Sequence, residues 1–371
     1  MSTLATNAIT DASGGNTASI NGYTPTVSNM AGRNRIINGD MRIDARNAGA
    51  AVTANGAFPV DRFVALNDSD GAFSAQQDTV APTGFVNSLK FTTTTADASL
   101  GATQYAAVQH RIEGLNVADL AWGTANAQPV TVSFWVRSSL TGAFGGVVAN
   151  SAANRSYPFT YTISAANTWE QKSITIEGDT SGTWLTTNGI GIRVTFGLGA
   201  GSSFSGTAGA WSGSTLVSAT GAVSVIGTLN ATWQITGVQL EVGSVATPFE
   251  HRMYGQELAL CQRYYQKWGG NATYERIATG YAISTTSMEV FIPRFYVPFR
   301  AAPSLNANSI SNFRASEASG SFTATAISIS QASPLSCGIA VSVASGLTTN
   351  RPMSMDTNNT TSALLSLSAE L

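Results

Sequence analysis

The chain predicts an all-β protein with a single short helix and a second, smaller β domain after it. Three observations predict this. Only 11% of its 371 residues are charged, against about 25% in ordinary soluble domains, so neutral polar groups must cover its outer faces. Serine and threonine supply nearly a quarter of the chain and there are 36 glycines, which suits many short strands and turns with hydroxyls facing out. Apolar and polar residues alternate with period two in several separate segments.

Taken in order, residues 1–33 are a polar head with scattered apolar residues, too few to fold alone, and read as a linker or attachment peptide. From Asn34, one side of an extended segment carries Ile37, Gly39, Met41 and Ile43, and the other carries Asn38, Asp40 and Arg42, which predicts a half-buried strand. Val130, Val132, Phe134 and Val136 alternate with Thr131, Ser133, Trp135 and Arg137, and Ile190, Ile192, Val194 and Phe196 alternate with Gly191, Arg193 and Thr195. Both are strands with one core face and one decorated face. Ile174 and Ile176 mark a shorter strand. Trp233 and Ile235 hand over to Val238, Leu240 and Val242 across Gly237, a phase slip that predicts a bulge. Residues 197–228, a Gly, Ser, Ala and Thr tract around Trp211, read as a long loop or hairpin. Tyr254, Leu258, Cys261, Tyr265 and Trp268 follow helical spacing and predict a helix over 254–268 whose stripe packs on its own domain or on other copies as a short coiled coil. After Gly269 and Gly270, alternation at Met288, Val290 and Ile292, then strands near 322–329, 339–343 and 364–369, predict the second β domain. The expected divisions are 1–33, 34–250, 251–268 and 269–371.

The composition narrows the chemistry. A net charge of −2 gives no pull toward nucleic acid or anionic membranes. No apolar run approaches the roughly 20 residues of a membrane span, and the first ten residues lack the pattern of a signal peptide. Cys261 and Cys337 are too few for a disulfide framework or a cysteine-based metal site; two free thiols or a single bridge remain. His110 and His251 lie beside no nucleophile motif, and the Gly-rich tract lacks the lysine of a phosphate loop. Asp40, Asp44, Asp61, Asp68, Asp70, Glu113 and Asp119 could supply a pair of carboxylates for glycoside hydrolysis, or serve only as turn residues and caps. No catalytic residue is assigned. Trp135 and Arg137 on one strand, Arg193 on another, and the loop residues Trp184 and Trp211 are the candidates for sugar contact, since aromatic faces pack on C–H faces of a sugar while polar side chains take its hydroxyls. Cover by a neighbouring layer is the alternative for the strand faces, and a packed plug for the loop tryptophans.

Longer stretches carry a resemblance. NRIINGDMRIDARNAG (34–49), FPVDRF (58–63), QHRIEGL (109–115), VTVSFWVRSS (130–139) and TGVQLEVGSVATPFEHRMYGQELALCQRYYQKW (236–268), in this order, resemble bacteriophage tail fibre and receptor-binding proteins. The ending, with RAAPSL (300–305) and NNTTSALLSLSAEL (358–371), resembles the C-terminal fibre domains of that family, and the opening MSTLATNAI (1–9) is similar to its head peptides. The resemblance implies a jelly-roll β-sandwich similar to carbohydrate-binding modules, followed by a smaller β-sandwich-like domain. It also implies a homotrimer on a virion, docked to other virion proteins through the N-terminal peptide and meeting a bacterial surface glycan or receptor distally. The Tyr254 to Trp268 stripe would then be an oligomer interface. Sandwiches of the carbohydrate-binding type often hold a structural calcium near the first strand, for which Asp40 is the position here; no other cofactor is implied. The expected function is a non-enzymatic tail fibre. The alternatives are a head fibre or baseplate protein that binds only virion proteins, and a polysaccharide depolymerase spike.

Overall fold

The computed structural model describes residues 32–318 and 320–371; nearly all of the expected attachment peptide lies outside the described residues. Two compact units divide the described residues: those from Gly32 to Arg42 with Gly49–Arg252, and Ile43–Ala48 with those from Met253 to Leu371.

The first unit contains β1 (Phe63–Asn67), β2 (Ala72–Asp78), β3 (Ser88–Thr95), β4 (Tyr105–Glu113), β5 (Val130–Ser138), β6 (Gly142–Ala149), β7 (Ser156–Ile163), β8 (Glu170–Ile176), β9 (Ile190–Ala200), β10 (Ser205–Gly206), β11 (Ser218–Ala219) and β12 (Thr232–Val242). Two five-stranded sheets, β1-β4-β9-β6-β7 and β2-β3-β12-β5-β8, form a jelly-roll β-sandwich. Period-two alternation sends Phe134, Val136, Val194, Phe196, Trp233 and Ile235 into the space between them, where all are fully buried. At the centre the Trp233 indole N–H donates to the Tyr161 hydroxyl at 3.0 Å, and Phe134 meets Tyr161 and Phe196 with ring centroids 5.0 Å apart. The expected bulge is present: the register of β12 against β5 shifts between Thr236 and Gln239, and Gly237 takes φ +61°, a left-handed conformation that glycine adopts without a Cβ penalty.

The segment from Asn34 to Ile43 is not a strand. It is a buried loop in which Asn38 and Met41 have φ of 60° and 59°, and Asn38 and Asp40 are as buried as Ile37 and Met41. The loop bonds to the bulge of β12, with Val238 N–H donating to the Gly39 carbonyl at 2.9 Å and the Asn34 amide donating to the Val238 carbonyl at 3.0 Å. Specific polar pairing, which alternation cannot reveal, decides its path.

His110, on the core side of β4, is fully buried with Nε2 3.2 Å from the Ile37 carbonyl. Burial above all, helped by the Arg62 charge, holds its pKa well below the usual 6.5. The folded state therefore keeps it neutral while the unfolded chain takes up a proton below about pH 6.5. Its contribution is complete above that pH and is lost as pH falls, by at most about 1.4 kcal/mol per pH unit. Urea unfolding across pH 5 to 8 should show this slope, and His110→Gln should flatten it; the same slope in the variant would assign it to other groups.

The second unit contains α1 (Tyr254–Gln262), β13 (Tyr265–Trp268), β14 (Arg276–Ala282), β15 (Ser287–Ile292), β16 (Ser304–Ala307), β17 (Phe313–Glu317), β18 (Gly320–Ala332), β19 (Cys337–Val343), β20 (Pro352–Thr357) and β21 (Leu365–Ser368). Six strands close into a barrel in the order β14-β15-β19-β18-β17-β20, and β13-β21-β16 form a small sheet. Closure leaves the barrel no free edge, and Met288, Val290, Phe313, Ile339, Val341 and Met355 are fully buried. Cys261 and Cys337 are both buried and are not joined in a disulfide, and burial pushes the Cys337 thiol up to about 11.

The helix ends at Gln262, six residues before the expected Trp268. Tyr265 and Trp268 lie on β13, which pairs with β21, because Tyr and Trp favour a pleated, half-buried surface. The five-residue helical stripe therefore does not exist. Cys261 is buried within the unit, Tyr254 is 57% exposed, and Leu258 is half-buried. Tyr265 lies under the Arg46 guanidinium, 3.8 Å from its ring centroid, and Trp268 stacks on Tyr296.

Candidate functional site

The outer face of the β1-β4-β9-β6-β7 sheet carries a pocket built from several strands. Alternation puts Ala106, Val108, His110 and Ile112 in the core and Tyr105, Gln109 and Arg111 on the outside of β4. Arg193 and Thr195 project from the same side of β9, with Gln109 opposite Thr195 and Arg111 opposite Arg193. The Gln109 amide donates to Thr195 Oγ1 at 2.9 Å, and Arg111 Nε donates to Gln109 Oε1 at 2.8 Å.

The other wall comes from the chain between β9 and β12. The outer positions of β9 beyond Thr195 are glycines, which lets this segment lie close; a Cβ at Gly197 would come within 2.6 Å of Ser218 Cβ. The segment carries Phe204, whose ring meets Tyr105 edge-on at 5.1 Å, together with Leu216 and Val217. A cavity of about 260 Å³ opens between these walls and Leu66, Ala149 and Ala153. Burial first, then the Asp68 charge, raises the Tyr105 phenol, so it remains a neutral donor. No Asp or Glu lines the cavity. Aromatic surface beside convergent amide, hydroxyl and guanidinium groups is equipped to bind a polar ring compound.

Only Arg193 of the five expected sugar contacts lies here. Trp135 and Arg137 are on β5, on the outer face of the opposite sheet, so they cannot share a site with Arg193. Arg137 is held by Gln234 Oε1 at 2.5 Å and by the Asn167 carbonyl at 2.8 Å. Residues 243–250 cover much of that face: the Thr247 N–H and hydroxyl donate to Glu241, and the Glu250 N–H donates to Gln239. Phe85 and Trp135 both close on Gly237.

Trp184 and Trp211 pack with Trp122 in a cluster of three rings with centroids 4.6 to 5.5 Å apart. Their indole N–H groups donate to the carbonyls of Ser181 and Glu177, and Arg155, itself paired with Asp179 through two hydrogen bonds of 2.7 Å, lies over the Trp211 ring. They work as a packed plug against the core.

Asp40 does not fit a calcium site. One carboxylate oxygen is in an ion pair with Arg42 Nε, and although the other has no donor, no three His, Cys, Asp or Glu side chains converge on a point among the described residues. Calcium takes six to eight oxygens and has no use for an arginine beside them.

Tyr105, Gln109, Arg111 and Phe204 were missed by sequence reasoning. The alternation from Tyr105 to Ile112 was a usable signal for β4; Phe204, one ring in a small-residue tract, gave none. A wider, more open groove of about 620 Å³ lies on the outside of the barrel in the second unit, with Tyr281, Phe291 and Met353 among its residues. Arg276, Glu317 and Ser354 also line it, and Arg276 pairs across strands with Asp356.

Among proteins of known family, no family model matches the chain, and no curated protein matches it. Among solved structures, the enzymatically active domain of tailspike protein 4 of bacteriophage CBA120 is similar over 57% of this chain and 21% of its own, at 10% identity and a TM-score of 0.31. The family 11 carbohydrate-binding module of Clostridium thermocellum, in complex with a mixed-linked β-1,3-1,4 tetrasaccharide, is similar over 55% of this chain and 100% of its own, at 11% identity and a TM-score of 0.27. The N-terminal cellulose-binding domain of Cellulomonas fimi β-1,4-glucanase C is similar over 55% and 99%, at 15% identity and a TM-score of 0.23.

Proposed function

We propose that this chain is a non-enzymatic fibre protein of a bacteriophage virion that recognises a glycan on the bacterial surface, with the sheet-face pocket as its sugar site. The observation that carries the sugar reading is the pairing of the Tyr105 and Phe204 rings with Gln109, Thr195, Arg111 and Arg193 around one cavity. Rings take the C–H faces of a sugar and the polar groups its hydroxyls. The absence of Asp and Glu from the lining favours binding over hydrolysis, which requires two carboxylates astride the glycosidic bond.

The test is binding of the purified protein to bacterial surface polysaccharides. Phe204→Ala should weaken binding about tenfold, the effect of losing a stacked aromatic contact of about 1 to 1.5 kcal/mol, without lowering the melting temperature. Trp211→Ala should instead lower the melting temperature and leave the affinity of the surviving folded protein unchanged. The reverse pattern would move the site to the tryptophan cluster. Release of reducing ends from the polysaccharide would overturn the non-enzymatic part of the reading.

The virion assembly is a homotrimer in this reading, joined to other virion proteins through residues 1–33, and three linked sites raise a weak single-site affinity about 100-fold or more where geometry allows simultaneous engagement. Light scattering should give three times the chain mass of 38.4 kDa. A monomeric mass would remove the trimer.

A further inference from the structure

The charge of the pocket is unusual for so neutral a chain. Arg111 and Arg193 are directly opposed across β4 and β9, an arrangement of like charges that destabilises an antiparallel pair. Arg137 is satisfied by an amide oxygen and a backbone carbonyl, but several other arginines of the first unit meet carboxylates: Arg155 with Asp179, Arg35 with Asp119, Arg42 with Asp40. Arg193 meets none among the described residues. Its one hydrogen bond runs from Nη2 to the Ser151 carbonyl at 2.7 Å, and its Nε is buried without an acceptor.

The side chain is half-buried, and this partial burial lowers its pKa from the ordinary arginine value. A partly desolvated charge without a counter-ion is costly. With no Asp or Glu in the lining, only the Tyr105 hydroxyl and the Ser151 carbonyl offset that cost in part.

We infer that the pocket takes an acidic sugar, a residue of the uronate type whose carboxylate lies against Arg193 while its ring packs on Tyr105 and Phe204. This rests on the glycan reading above and narrows it to a substrate class. A guanidinium and a carboxylate match as planar groups and make the strong, charge-assisted kind of hydrogen bond. The ligand then supplies the anion that the protein does not, and neutral sugars of the same shape leave the arginine unpaired.

The experiment is an array of bacterial capsular and lipopolysaccharide oligosaccharides in which every uronate-bearing member stands beside its carboxyl-reduced neutral counterpart, with sulfated members included. The full chain should bind at least one uronate member about tenfold or more tighter than its reduced counterpart, with the preference shrinking as salt is raised. Arg193→Gln should bring the two within about twofold, Arg193→Lys should restore part of the preference, and Phe204→Ala should weaken both forms alike. Equal binding of acidic and reduced forms by the unaltered chain overturns the acidic-sugar inference and leaves the glycan reading standing; so does a preference confined to sulfated members. No binding to any member overturns both.

Discussion

Trp233→Ala should destabilise the first unit by about 3–5 kcal/mol, the usual loss for deleting a large buried aromatic side chain. The indole is fully buried, lies 5.7 Å from the Phe196 ring and donates its N–H to Tyr161. Truncation opens a cavity between the two sheets and also strips the buried Tyr161 hydroxyl of its partner, which adds about 1–3 kcal/mol where no water replaces it. Domains are stable by only about 5–15 kcal/mol, so the variant should unfold near ambient temperature or at low urea. Trp233→Phe keeps most of the volume and should lose markedly less. Urea titration by far-ultraviolet circular dichroism decides this; a loss under about 1 kcal/mol for the alanine variant would show that the ring is not central to the core.

Gly39→Ala should be nearly as severe, about 3 kcal/mol or more, combining overpacking with lost hydrogen bonds. A Cβ on Gly39 would stand 2.1 Å from the Val238 carbonyl oxygen and 3.3 Å from the Asn34 side-chain nitrogen. The obstacle is backbone, which no rotamer change relieves. The 34–42 loop would have to leave the bulge of β12, breaking the Val238 N–H to Gly39 bond and the Asn34 to Val238 bond. Gly49→Ala is the control in the same region, since nothing lies within 4 Å of its Cβ position although its φ is +85°; it should lose only the strain of that conformation, of order 1 kcal/mol. Equal melting temperatures for the two variants would mean that the loop is not seated on the bulge.

Period two made much of the sandwich legible. Val130 to Arg137 and Ile190 to Phe196 form β5 and β9, with core and outer residues on the sides that alternation assigned to them, and the slip at Gly237 is the bulge itself. The same logic failed from Asn34 to Ile43, where buried hydrogen bonds of Asn34 and Asn38 outweigh hydrophobic pattern. Helical spacing failed after Gln262 because Tyr265 to Trp268 is less than one full heptad and too short to fix a period, while Tyr and Trp favour strands and β21 offers an edge to pair with. The site was harder. Alternation shows that Trp135, Arg137 and Arg193 all point outward, but which of two sheets a strand joins depends on long-range pairing, and that choice put Arg193 in the pocket and the other two on the opposite face. Phe204 reaches Tyr105 only because glycines on β9 let a distant segment settle there.

The short piece Ile43–Ala48 belongs to the second unit although the chain has yet to build the first. Arg46, within it, makes an ion pair with Glu370 at 2.6 Å, with both side chains largely buried, and covers the Tyr265 ring. An exchange of the distal part by recombination at a single crossover near residue 253 would therefore separate Arg46 from its partners. Lineages that trade this unit between genes must either carry two breakpoints or inherit a recipient whose residue 46 already suits the incoming Glu370 and Tyr265. Covariation across more than 300 positions is the trace such a history would leave.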